Sequence, residues 1–124
     1  MSSRRFVITL VVAVAFILGF SDRLSAEAFF RTELIFPLEN WHNHASCILE
    51  LPGGNLLVTW YHGSGEHMAD DVKIQGARKN LGSQGWSRSF TMADSPNFPD
   101  GNPIVFLDRK QQLWLVWSMI VAND

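Results

Sequence analysis

From position 45 to position 60 the chain reads ASCILELPGGNLLVTW: an apolar run (Cys47, Ile48, Leu49), then Pro52, Gly53, Gly54 and Asn55, then a second apolar run ending in Trp60. Runs of this kind on either side of a turn-forming cluster predict a β-hairpin. The pattern returns 57 residues later as NPIVFLDRKQQLWLVW, positions 102–117, so that Ser46 matches Pro103, Leu56 matches Leu113, Val58 matches Leu115 and Trp60 matches Trp117 without a gap. Strands are expected at 45–51, 56–62, 72–79 and 86–92, with the first two repeated around a turn at 108–111. The loose alternation of FFRTELIFP, positions 29–37, adds a short strand to the expectation. Beyond the first 28 residues no stretch has helical periodicity, so the predicted class is all-β.

A supersecondary unit recurring at this period is the mark of a radial array such as a β-propeller. A closed propeller takes at least about four blades, and 124 residues at this spacing hold only about one and a half to two. The chain is therefore expected to be the amino-terminal fragment of a longer protein. In a four-stranded antiparallel blade, the start of the first strand, the loop between the second and third, and the start of the next blade share one rim. That rim collects positions 40–46, 63–71 and 100–103, while the opposite rim receives the short turns at 52–55, 80–85 and 108–111. Function is expected on the first rim, because binding residues gather on loops held by rigid strands.

The amino terminus changes the picture of the mature chain. Arg4 and Arg5 precede an uncharged apolar run at 6–20, and Ala26-Glu27-Ala28 forms an A-x-A cleavage site. This is the pattern of a secretory signal peptide, and the run is shorter than the roughly 20 residues that span a bilayer. The expected domains are a signal peptide at 1–28 and a partial propeller at 29–124, secreted or periplasmic, with no stable membrane span after cleavage. Cleavage removes three cations (Arg4, Arg5, Arg23) and two anions (Asp22, Glu27), taking the formal charge from −2 to −3. Nothing in that balance points to nucleic acid. The one cysteine, Cys47, lies in an apolar strand pattern and reads as a small buried hydrophobe, so no disulfide framework is expected.

Candidate chemistry on the rim comes from His42, His44, His62, Glu66, His67, Asp70, Asp71, Asn102 and, ending the third strand, Arg78. Asp70 or Asp71 suits general acid/base work on a sugar, where one carboxyl holds its proton until the leaving oxygen takes it. Either also suits the plainer task of accepting backbone hydrogen bonds where a loop meets a strand. The histidines and Glu66 are borderline-metal ligand types, yet their spacing matches no compact ligand motif, so neither metal nor cofactor is expected. Trp41 and Tyr61 would suit stacking on a sugar if exposed. Trp60 and Trp117, in register across the repeat, are expected to pack between blades.

Taken together, HASCILELPGGNLLVTWYHGSGE, DDVKIQGARK, GWS and DGNPIVFLDRKQQLWLVW resemble the sialidase (neuraminidase) superfamily, most closely its bacterial BNR-repeat-like members, over positions 41–117. The resemblance implies a six-bladed β-propeller and a glycoside hydrolase acting on sialosides or other glycans. It implies that Asp71, or Asp70 beside it, is the acid/base residue, and that His44, Arg78, Asn102 and His62 orient the sugar. His44 stands where the family's first carboxylate-binding arginine opens the strand, and imidazole lacks the planar fork of a guanidinium. Two alternatives follow: a carbohydrate-binding propeller without catalysis, and a polysaccharide lyase or other glycosidase using His44 or His62 as base. The fragment itself is expected to be inactive.

Overall fold

The computed structural model describes residues 27–66 and 68–121. The signal-peptide reading falls on positions outside this range, apart from Glu27 and Ala28, and His67 also lies outside it. The chain divides into two units, Met1–Thr32 and Glu33–Asp124. The described part of the first, 27–32, has no regular secondary structure.

Six strands make up the second unit, and no helix occurs among the described residues: β1 (His42–Leu51), β2 (Asn55–Gly63), β3 (Lys73–Lys79), β4 (Phe90–Ala93), β5 (Asp100–Leu107) and β6 (Leu113–Met119). They form an antiparallel four-stranded sheet in the order β1-β2-β3-β4 and a two-stranded sheet, β5-β6. β2 is central, and its NLLVTWYHG sequence, rich in branched and aromatic side chains, suits a strand covered on both faces. On one face Val58, Trp60 and Ala77 pack against Ile35, Phe36 and Trp86. On the other, Tyr61, Val72 and Ile74 pack against Ala45, Met92 and Leu115, which places the β5-β6 hairpin over that face. Burying Val58, Val72 or Ile74 in this way contributes about 1.5–3 kcal/mol each.

The two hairpins are copies at the level of the backbone. β1 shifts register against β2 between His44 and Cys47, and β5 shifts against β6 between Gly101 and Ile104. At the same point of each bulge Ala45 and Asn102 take φ 48°. Both turns close alike, Gly54 N donating to Leu51 O at 3.1 Å and Gln111 N to Asp108 O at 3.0 Å, with φ of 76° at Gly54 and 62° at Gln111. Trp60 Nε1 donates to Asn43 Oδ1 at 2.8 Å, and Trp117 Nε1 to Asp100 Oδ1 at 3.0 Å.

Several expectations from sequence need correction. Positions 29–37 form no strand; Phe36 instead stacks on Trp60, with ring centroids 5.1 Å apart. Positions 42–44 belong to β1 rather than to a preceding loop. The strand expected at 86–92 is replaced by the shorter β4, and at Ser87 the link to β3 is one backbone bond, Ser87 N to Arg78 O at 2.7 Å, with Arg78 N donating to Ser87 Oγ at 3.0 Å. Cys47 is only partly buried, its Sγ 3.8 Å from Val105 O. Trp60 does not pack against the second hairpin but on the opposite face, and Trp117 is 40% exposed.

Candidate functional site

The rim foreseen from sequence exists as an arrangement of backbone. His42 pairs with Gly63, Lys73 with His62, and Asp100 N donates to Val72 O at 3.0 Å, so the starts of β1, β3 and β5 and the loop after β2 lie at one end of the sheets. His44 and Tyr61 are directly opposite in the β1–β2 register, which puts both side chains on the same face. The Tyr61 hydroxyl lies 3.0 Å from His44 Nδ1 and donates to Glu66 Oε1 at 3.2 Å. A phenol has one proton. With that proton given to Glu66, His44 completes the chain by donating from Nδ1 to the phenolic oxygen, which leaves Nε2 as its lone-pair nitrogen. The His44 side chain is 61% exposed, so this nitrogen belongs to an accessible imidazole. His42 stacks on Tyr61 with centroids 6.2 Å apart, and its Nε2 is buried without a hydrogen-bond partner.

Tyr61 is the residue whose role sequence reasoning missed. It was expected as an exposed stacking ring, but the residue is 1% exposed and only its hydroxyl takes part in the rim. Burial, reinforced by Glu66, raises its pKa above the usual tyrosine value. Its position opposite the first rim histidine, and the glutamate five residues on, were the available signals. Trp41 is the exposed aromatic, half accessible and 5.5 Å from the His62 ring.

His62 belongs to a different cluster. Neighbouring residues of a strand point to opposite faces, so Asn43 and His62, paired with each other, sit on the reverse side from His44. His62 Nδ1 lies 3.0 Å from Asn43 Oδ1 and 3.3 Å from Glu39 Oε1, and Asn43 Nδ2 donates to the same glutamate at 2.9 Å. With Trp60 also donating to Asn43, this cluster is tied internally. Asn43 was not singled out from sequence, although its match to Asp100 across the repeat would have found it.

Asp71 closes the rim loop, its Oδ1 accepting from Ser64 N at 3.0 Å and from Ser64 Oγ at 2.9 Å. Those bonds, the backbone one first, hold its pKa below the usual carboxylate value. A carboxylate so stabilised gives up its proton early, the reverse of what a general acid needs. Asp70, beside it, is exposed. Arg78 is not on this rim: it pairs with Leu57 near the far end of β3, its guanidinium 5.8 Å from the Phe90 ring centroid. The third strand runs away from the rim, so its last residues finish at the opposite end. Asn102 is on the rim, exposed at the β5 bulge beside Gly101, where an added Cβ would come within 4.0 Å of Tyr61.

A groove of about 340 Å³ runs between Ile35–Phe36 and the Asn43–Ser46 stretch, floored by Val58 and Trp60. Its size is at the lower end for small-ligand sites. No group of three or more His, Cys, Asp or Glu among the described residues could hold a metal ion, and no helix among them is long and apolar enough to cross a membrane. Comparison of the chain with protein-family models, curated proteins and solved structures finds no match.

Proposed function

We propose that the two sheets are successive blades of a sialidase-like β-propeller and that the rim bearing His44, Tyr61, Glu66 and Asn102 binds a carbohydrate. The observation that carries this reading is the exposed His44 imidazole, anchored through Tyr61 to Glu66 at the end of the sheet where both repeats begin. An accessible imidazole and an exposed amide are group types that grip sugar hydroxyls. Asn102 on the second hairpin and His44 on the first would address the same ligand from successive blades. Export through the segment at 1–28 would bring such a surface to extracellular or periplasmic glycans.

In the hydrolytic form of this proposal the exposed Asp70 serves as acid/base residue, and Asp71, held ionised by Ser64, shapes its loop. A second reading is favoured by the donor order at His44. With Nδ1–H committed to Tyr61, Nε2 is set to accept a proton, as the base of a lyase must. The test is binding of sialyllactose, a neutral oligosaccharide and a uronate oligosaccharide, followed by assays for free sialic acid and for unsaturated uronate absorbance. Binding lost in His44→Ala and kept in Arg78→Ala supports the rim site. Equal binding by wild type and His44→Ala, or none to any of the three, rejects it.

A further inference from the structure

The Tyr61 hydroxyl stands between two partners, 3.0 Å from His44 Nδ1 and 3.2 Å from Glu66 Oε1, which are themselves 3.9 Å apart. A carboxylate only accepts hydrogen bonds, and a neutral imidazole carries one N–H and one lone-pair nitrogen. Were the phenol to donate to His44, its oxygen would meet the Glu66 carboxylate lone pair to lone pair. Donation to Glu66 removes that conflict and requires the hydrogen of His44 to be on Nδ1. Both ends of this chain of bonds are held. The Tyr61 ring is buried with Val72 and Ile74, and His42 stacks on it with ring planes 16° apart. Glu66 lies in a loop that is closed where Asp71 accepts from Ser64 and where Val72 N donates to Ala69 O at 3.1 Å. The two nitrogens of an imidazole diverge, so Nε2 of His44 points away from the phenol, on an exposed side chain. His42, on the same face, has its Nε2 buried and does not share that role.

We infer that Glu66, acting through Tyr61, is a positioning residue that fixes neutral His44 as a hydrogen-bond acceptor at Nε2, so that the ligand group meeting this imidazole is a donor such as a sugar hydroxyl. The sugar rests on the carbohydrate reading of the rim; the acceptor state of His44 does not. A carboxylate or an ether oxygen has no hydrogen to give and would need an N–H at Nε2. An acidic sugar therefore meets His44 through its hydroxyls and not through its acid group. The specificity of the imidazole is thus set by a carboxylate that the ligand does not touch at this point, relayed by a phenol buried beneath it.

The test is the long-range proton–nitrogen NMR spectrum of the full chain with 15N-labelled histidine, taken at about pH 8, where imidazoles of ordinary pKa are neutral. It shows which ring nitrogen carries the hydrogen. The wild type is expected to have it on Nδ1 of His44, with Nε2 bare. Glu66→Ala frees the phenol to donate to Nδ1 and is expected to move the hydrogen to Nε2; the Glu66 side chain is half exposed, so the fold should survive. Tyr61→Phe keeps the buried ring, removes the oxygen that accepts from Nδ1, and is expected to lose the wild-type pattern as well. Met68→Ala, an exposed change in the same loop, is expected to leave it as it was. Added neutral oligosaccharide should shift the bare Nε2 signal saturably without moving the hydrogen. A wild-type His44 with its hydrogen on Nε2, a pattern indifferent to Glu66→Ala, or a bound sugar that transfers the hydrogen to Nε2 would each overturn the inference. The Nδ1–H pattern with no response to any sugar would reject the carbohydrate reading and uphold the role of Glu66.

Discussion

The indole of Trp117 donates to Asp100 across seventeen residues, as Trp60 does to Asn43 one repeat earlier. Each bond links the rim end of a first strand to the second strand of its hairpin, next to the bulge that carries the left-handed residue. The rim is therefore set by a device present twice. Asp100, fully buried, extends it by accepting from Ser95 N at 2.8 Å.

Asp100→Ala is expected to be among the most damaging single changes outside the apolar core. It leaves the donors of Trp117 and Ser95 without their acceptor, at about 1–3 kcal/mol for each donor left unsatisfied in a buried setting. Asp100→Asn keeps a carbonyl oxygen and should lose less. Urea unfolding midpoints, compared at constant slope, measure both.

Tyr61 is the only tyrosine in the chain, so the alkaline rise of tyrosinate absorbance reports on it alone. Its midpoint is expected above the ordinary value of 10.0, first because of burial and then because of Glu66. Glu66→Gln should lower the midpoint only part of the way, since burial remains. A group whose pKa is raised on folding keeps its proton longer when folded, so this residue makes stability fall as pH rises past 10.0. A wild-type midpoint at or below the ordinary value would remove the Tyr61–Glu66 bond from the account.

The Asp71–Ser64 contact gives the opposite dependence. Its folded pKa lies below the ordinary 3.8, so its contribution is complete above that value and is lost as pH falls through the depressed one. Corrected for the intrinsic pH dependence of exchange, the protection of the Ser64 amide should fall over that acid window in the wild type. In Asp71→Asn the same corrected protection should vary little with acid. The contact is exposed to solvent, so its share of global stability is expected to be small.

Gly63, at the end of β2, is expected to resist substitution. A Cβ there would lie 2.7 Å from Val72 Cα and 3.0 Å from Val72 N, backbone atoms that yield only if the rim loop moves. Gly63→Ala should cost about 1–3 kcal/mol, the range for overpacking a filled site. Gly85→Ala, with open space around it, is the matched control and should be close to neutral. Thermal melts of the pair decide.

Sequence carried the fold class, the hairpins and the identity of the rim, because those rest on alternation and turn chemistry that recur in register. It did not carry the bulge: Asn102 is a residue type that accepts positive φ, but Ala45 is not, and only the paired strands impose it. Ile35 and Phe36 read as strand because they are apolar, yet a cap over Trp60 needs apolar residues just as much. Arg78 was read correctly as ending its strand but was grouped with the rim where that strand begins, so it lies at the opposite end. His62 and His44 read alike as rim histidines, and only the pleat separated them onto opposite faces. Tyr61 was named from sequence for its ring, whereas its hydroxyl is the part at the site.

The most direct test of the rim as a carbohydrate site is to follow the ring signals of the four histidines by NMR while sialyllactose, a neutral oligosaccharide or a uronate oligosaccharide is added. Assignment comes from single histidine-to-alanine variants. The account predicts that one of these sugars moves the His44 signal saturably, moves His42 less, and leaves His62, on the reverse face, nearly still. Saturable shifts confined to His62, or no shift of His44 with any of the three, would contradict it.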